Sequence, residues 1–519
     1  MVAAGPLSPE APASGPPAVA RAPARPAEQA PAEQAPAEQA PARQAPAGQA
    51  PAGQASAGRA AGGGRRWRQT LALLFPDRPE EPPLRPRRAD RAHQARRSWP
   101  AWAAVPLTAA AVTAGTCLLL ARQSGTPSWR TLWGEDGSLF LPEAMTHPVR
   151  SLLWPYAGYL QTVPRLIADG VALLPLATAA AAFAITGALA AAGCAAFVYY
   201  ASAGHIRRPW LRALLAAGVL LLPAAVVEVA NSGVDVPWYL MFATFWALLW
   251  RPRAGAAQVL AFAVCFAAAS SQVVTILLAP LALARVLALR RPADHAATAG
   301  WLSGMALQLV FVVPAAELRR LGPVPAALRF YGQHVLLAAV AGRHLADELA
   351  SAAGPAVAIT AGVCAVVAAA SWMLARGGKR VRLFTITCLA LGLTLTVIPA
   401  VIRGWVTTPM PAFAVWVPGT RYATVPVLLL YSAAIVAVDA YLSQRGPHAR
   451  RVPRQLAVGL LLAVLLVPWA ADFRAANLRS PDQPWPQTIS RLAAGCPHTP
   501  GGSAWVPLLH RRVRCSGLG

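Results

Sequence analysis

The stretch "RYATVPVLLLYSAAIVAVDAYL" (421–442) carries one arginine at its start and one aspartate near its end, with an almost wholly apolar run between them. As an α-helix rising 1.5 Å per residue it reaches about 33 Å, which matches the roughly 30 Å of hydrocarbon in a bilayer. Similar runs recur along the 519-residue chain, which is 56% hydrophobic and only 13% charged. They predict spans at about 101–122, 173–203, 211–227, 237–250, 255–271, 272–290, 297–316, 353–375, 383–402, 421–442 and 455–471. The expected fold is therefore all-α: a polytopic integral membrane protein of about eleven transmembrane helices. The fourth run is short, and the 317–352 segment reads as room for a re-entrant or interfacial helix.

The loops give the direction. "HIRRPWLR" (205–212), "RPR" (251–253), "RRPADH" (290–295), "RGGKRVR" (376–382) and "RGPHARRVPR" (445–454) are all basic. They fall on alternate connections, as the positive-inside rule requires of a chain whose N-terminus is cytoplasmic. An odd number of spans then leaves the C-terminal tail outside. The net charge of +25 rests almost wholly on arginine, Lys379 being the one lysine. With the abundance of Ala, Pro and Gly this reads as compositional bias, so no nucleic acid partner is inferred.

Residues 1–64 repeat a P-A-[E/R/G]-Q-A pentad and lack apolar periodicity, which predicts a disordered segment. The chain opens on no signal-peptide pattern. Residues 65–100 form a basic juxtamembrane segment, suited to anionic headgroups or to a solvated linker. Five cysteines (Cys117, Cys194, Cys265, Cys364, Cys388) lie in apolar runs and read as packing. Cys496 and Cys515 lie in the polar tail 472–519, where a bridge closing a loop of about 20 residues adds about 3 kcal/mol and calls for an oxidising compartment.

On this topology the polar and aromatic residues converge outside the transmembrane domain 101–471. The first external loop, 123–172, contains "TLWGEDGSLFLPEAMTHP" and "PYAGYLQTVPRLIADG"; later turns bring "VVEVANSGVDVPWYL" and "WVPGTRY". A sugar carried on a polyprenyl phosphate has its scissile bond at headgroup level. Its transfer needs a carboxylate base for the acceptor hydroxyl and cations for the leaving phosphate. Glu135 and Asp136 are the candidate catalytic acids. Asp136 is chosen as base because Gly137 beside it permits close approach. The candidate substrate-binding residues are Arg165, Arg403 and Arg421 for the phosphate, with Tyr159, Glu228, Asn231, Trp238 and Tyr422 around them. The sequence leaves open a divalent cation at the acidic pair. It contains no Walker A, GxGxxG or HExxH motif, and the histidines, His334 and His344 included, show no ligand spacing.

An acidic pair in the first external loop of a many-span chain resembles the GT-C superfamily of lipid-phosphate-sugar-dependent glycosyltransferases. "GYLQTVPRLIA", "EVANSGVDVPWYL" and "GTRYATVP" are similar to segments of bacterial multi-span proteins grouped with such enzymes. The likeness covers most of 101–515. It implies Asp136 as base with Glu135 beside it, and Arg421-Tyr422 as a lipid-phosphate contact. A polyprenyl-phosphate-linked sugar would be the donor, an envelope glycan, lipid or protein the acceptor, and membrane lipids the surroundings. The tail of about 48 residues departs from larger members, being too small for a carbohydrate-binding domain. Two rivals stand beside this reading: a transporter or lipid-linked saccharide flippase, disfavoured by the scarcity of ionisable residues within the spans, and a non-catalytic envelope-assembly protein.

Overall fold

The computed structural model describes residues 67–77, 101–312, 321–404, 419–444, 451–496, 502–515 and 518, all within one compact unit, Arg59–Gly519. The pentad repeats, the rest of the basic juxtamembrane segment and most of the loop between 404 and 419 lie outside the described residues.

Each of the eleven apolar runs coincides with helix. Among the described residues, the α-helices of eight residues or more are α1 (Ala101–Leu120), α2 (Thr162–Ala172), α3 (Ala179–Ala201), α4 (Pro209–Leu221), α5 (Val236–Leu249), α6 (Gly255–Ser271), α7 (Ala279–Ala288) and α8 (Ala296–Phe311). They continue as α9 (Val324–Tyr331), α10 (His344–Ala353), α11 (Pro355–Arg376), α12 (Lys379–Ile402), α13 (Arg421–Ser443), α14 (Arg451–Ala471) and α15 (Trp485–Ala494). Among the described residues, five helical segments are long and apolar enough to cross a membrane: Leu176–Gly204, Pro355–Arg376, Lys379–Ile402, Arg421–Ser443 and Pro453–Ala471. The remaining apolar helices are shorter, so length and composition support a multi-pass membrane protein without fixing eleven crossings. The described part of segment 317–352 is mostly helical, in α9 and α10 with a widened turn, Gly332–Leu337, and a short helix, Ala338–Ala341, between them.

The described residues are mostly helical, as expected, and the tail adds one small two-stranded sheet. The tail folds into α15 and an antiparallel hairpin of β1 (Ser503–Val506) and β2 (Arg511–Arg514), with Trp505 paired to Arg512. Its inward positions, Val506, Leu509 and Val513, are buried with Trp485 and Ile489 in one cluster that also takes Leu132, Trp133, Phe140 and Leu141 of the first loop and Phe183 of α3. The Cys496–Cys515 disulfide closes this unit. Apolar contact thus makes the tail a cap on the first loop.

The bundle has two chemically distinct ends. Arg421 and Asp439 lie on α13 about 27 Å apart along the axis. At the Asp439 end the basic turns gather: Arg208 pairs with Asp439 at 3.0 Å, and Arg251 pairs with Asp77 at 2.8 Å and Asp294 at 3.2 Å. His205 Nε2 meets Leu74 O at 3.1 Å, so residues 67–77 dock at this same end. α1 begins there too, since Thr108 meets Tyr200 at the far end of α3. At the other end stand the first loop, the 226–235 turn, Arg421 and the tail.

Candidate functional site

α13 is the most buried of the five long helices, with 78% of its apolar window inside the protein. A positive group at its first residue therefore needs an explanation, and Glu228 supplies part of it. Glu228 Oε1 accepts the Gly419 N–H at 2.8 Å; Oε2 accepts Arg421 N–H at 2.9 Å and the Thr420 hydroxyl at 3.1 Å. A buried carboxylate thus satisfies the open amides at the start of α13 and complements its dipole. The Arg421 side chain is aimed among three acids: its guanidinium is 3.5 Å from Glu135, 3.5 Å from Asp235 and 3.7 Å from Glu228.

Beside it opens a cavity of about 230 Å³. Glu135 and Asp235 line it with the guanidinium groups of Arg403 and Arg421. The aromatic walls are Tyr156, Tyr159, Trp238 and Tyr422, and Gln161 and Gln272 complete the polar lining. Trp238 and Tyr422 meet edge to face at 5.1 Å. Tyr156 and Tyr159 pair across a tight turn whose two central residues, Ala157 and Gly158, have positive φ (53° and 90°), as hairpin turns of the primed type require. Arg403 donates to Ala157 O at 3.0 Å, tying this turn to the end of α12. Burial raises the Tyr159 hydroxyl, and Arg403 and Arg421 oppose the shift.

Of the sequence-derived candidates, Glu135, Tyr159, Trp238, Arg403, Arg421 and Tyr422 meet at this cavity. Four do not. Asp136 points away from it and accepts three hydrogen bonds from one turn: Val234 N–H at 2.8 Å, Gly233 N–H at 3.0 Å and the Ser232 hydroxyl at 3.3 Å. Burial pushes Asp136 up to about 7, against its amide donors and Arg479. Its carboxylate braces the first loop against the 231–235 turn, whereas Glu135 lines the cavity. The space beside Gly137 is filled by protein: a Cβ there would meet the side chains of Leu132 at 2.8 Å and Leu508 at 3.1 Å. That glycine admits the tail.

Arg165 is buried against Glu143 at 2.5 Å and lies over the Phe140 ring, clamping the loop internally. Asn231 donates to Leu119 O at 2.9 Å and the Ser128 hydroxyl at 3.1 Å from a left-handed backbone of φ 58°. Glu228 is engaged by the start of α13 and is not among the residues lining the cavity. Asp235 lies within the stretch "EVANSGVDVPWYL", but local sequence assigns a role neither to it nor to Tyr156, Gln161 and Gln272. Gln161 belongs to "GYLQTVPRLIA", and Gln272 is marked only as a polar residue between two apolar runs.

Asp235 differs from its neighbours. Burial, with Glu135 and Glu228 nearby, pushes it up to about 8 although Arg421 opposes the shift. For a divalent cation the donor set does not fit: among the described residues no three His, Cys, Asp or Glu side chains are grouped to hold a metal ion. The space between the carboxylates is taken by the Arg421 guanidinium. The chain matches no protein-family model, no curated protein and no solved structure.

Proposed function

We propose that this protein is a membrane glycosyltransferase that moves a sugar from a polyprenyl-phosphate donor to an envelope acceptor at the extracytoplasmic face, with about eleven spans, a cytoplasmic N-terminus and an outer C-terminal tail. The orientation is supported by the gathering of arginine-rich turns at the Asp439 end of the bundle. The disulfide of the cap at the opposite end agrees with it.

The reading rests on one observation: a single cavity holds a partly exposed carboxylate, two guanidinium groups and four aromatic side chains. Glu135 is the general base. It takes the proton of the acceptor hydroxyl as that oxygen attacks the anomeric carbon, and the bond from this carbon to the phosphate oxygen breaks with inversion. The leaving phosphate keeps the bond's electron pair. Its negative charge is met by Arg421 and Arg403, whose fixed positions are of most use where charge develops in a dry site. Asp136 and Glu228 are positioning residues, one for the Glu135 loop and one for Arg421.

The test uses the purified full chain in proteoliposomes with radiolabelled polyprenyl-phosphoryl sugars. Release of polyprenyl phosphate with label moving to an acceptor hydroxyl is expected. Movement of the intact lipid between leaflets with no bond cleaved would overturn the proposal in favour of a flippase.

A further inference from the structure

Three carboxylates surround Arg421, with Asp136 beside Glu135 in the chain, and three of these four acids are accounted for by their surroundings. Asp136 and Glu228 each receive three hydrogen bonds from the chain, and Glu135 is partly exposed toward the cavity. Asp235 is the exception. It is 1% exposed, lines the cavity, and neither of its carboxylate oxygens has a hydrogen-bond partner. Among the described residues, its one charged neighbour within ion-pair distance is Arg421, at 3.5 Å. Gln161, on the same wall, also has a buried side-chain oxygen with no donor.

Buried acceptors without donors are costly and uncommon in native proteins. Three of them facing one cavity beside two guanidinium groups define the complement of the space: a ligand with several closely spaced donors next to an anion. The two oxygens of a carboxyl group suit a pair of adjacent hydroxyls, and this holds in either protonation state. An ionised group accepts from both hydroxyls, and a protonated one accepts from one and donates to the other. A lipid phosphate by itself offers no such donors.

Resting on the glycosyltransferase reading above, we propose that Asp235, seconded by Gln161, determines specificity by binding two adjacent hydroxyls of the transferred sugar. Arg421 and Arg403 hold the phosphate. Asp235 thereby distinguishes the loaded carrier from the spent one, because the spent polyprenyl phosphate keeps the anion and lacks the diol.

Binding by the purified full chain is measured with polyprenyl monophosphate and with polyprenyl-phosphoryl glucose, mannose, galactose and arabinose. These sugars present different adjacent hydroxyl pairs. The wild type is expected to bind at least one glycosylated lipid about 10- to 100-fold more tightly than the monophosphate. Asp235→Ala should erase that preference while monophosphate is still bound, and Asp235→Asn, which keeps one acceptor, should fall between. A sugar preference that survives in Asp235→Ala, equal loss of both ligands, or a wild type that binds monophosphate without preferring any sugar would each overturn the role of Asp235 alone. A wild type that binds none of these lipids would overturn the cavity's reading as a lipid-phosphate site, and this proposal with it.

Discussion

At the residue scale the neighbouring acids Glu135 and Asp136 separate by what surrounds them. Asp136 is enclosed by donors from Ser232, Gly233 and Val234, so removing it leaves buried amides unpaired at about 1–3 kcal/mol. Asp136→Ala is expected to lower the melting temperature of the purified protein, and Glu135→Gln to leave it within a degree or two; equal thermal shifts would contradict the assignment. The pH dependence has a definite sign. Asp136 and Asp235 are raised to about 7 and about 8 from about 3.9 in an unfolded chain. The folded state therefore holds their protons longer, and the stability they contribute is complete below about pH 4 and is lost as pH rises through about 7 to 8. Thermal melts should show a more stable protein at pH 5 than at pH 8.5, with Asp235→Asn reducing the difference.

At the scale of elements, two features carry the site: the start of α13 and the turn before α5. Glu228 reaches across some 190 residues to accept the Gly419 and Arg421 amides. Glu228→Ala removes hydrogen bonds to a charged group, worth about 1.5–3 kcal/mol each. It is expected to lower stability and to reduce transfer by displacing Arg421; a variant with normal melting and normal transfer would show that α13 does not need this brace. The turn has as little room, because a Cβ on Gly233 would stand 2.7 Å from Phe183 Cδ1 and 3.1 Å from Asp136 Oδ1. Gly233→Ala should therefore weaken the same contact as Asp136→Ala, which a double-variant cycle will register as non-additive melting shifts. These relations explain what the sequence could reveal. Apolar runs announce helices through local composition, and the aromatic and charged residues at their ends announced the cavity's members. Local spacing holds no information about which carboxylate turns inward, since the deciding partners of Asp136 lie about 97 residues away and those of Glu228 about twice as far.

At the scale of the molecule, the tail gives the first loop a second packing face. A short polar tail after the last apolar helix reads from sequence as an appendage; only the shared cluster of Trp485, Val506 and Leu509 with Leu132 and Phe140 shows it to be a cap. Arg479 extends this role. It donates to Ala230 O at 2.7 Å and Asn231 O at 3.1 Å and lies over Trp133, so the tail also holds the turn that braces Asp136. Cys515→Ser is expected to cost about 3 kcal/mol and to lower transfer, read as earlier melting and reduced turnover in the same preparation. Unchanged turnover with the bridge removed would separate the cap from the site. The most direct test of the whole account compares turnover of a polyprenyl-phosphoryl sugar by Glu135→Gln and Asp136→Asn, each scored against its own melting temperature. Loss of about 100-fold or more in a fully stable Glu135→Gln, with the Asp136→Asn deficit tracking its lost stability, is the predicted result. Full turnover by Glu135→Gln would contradict it.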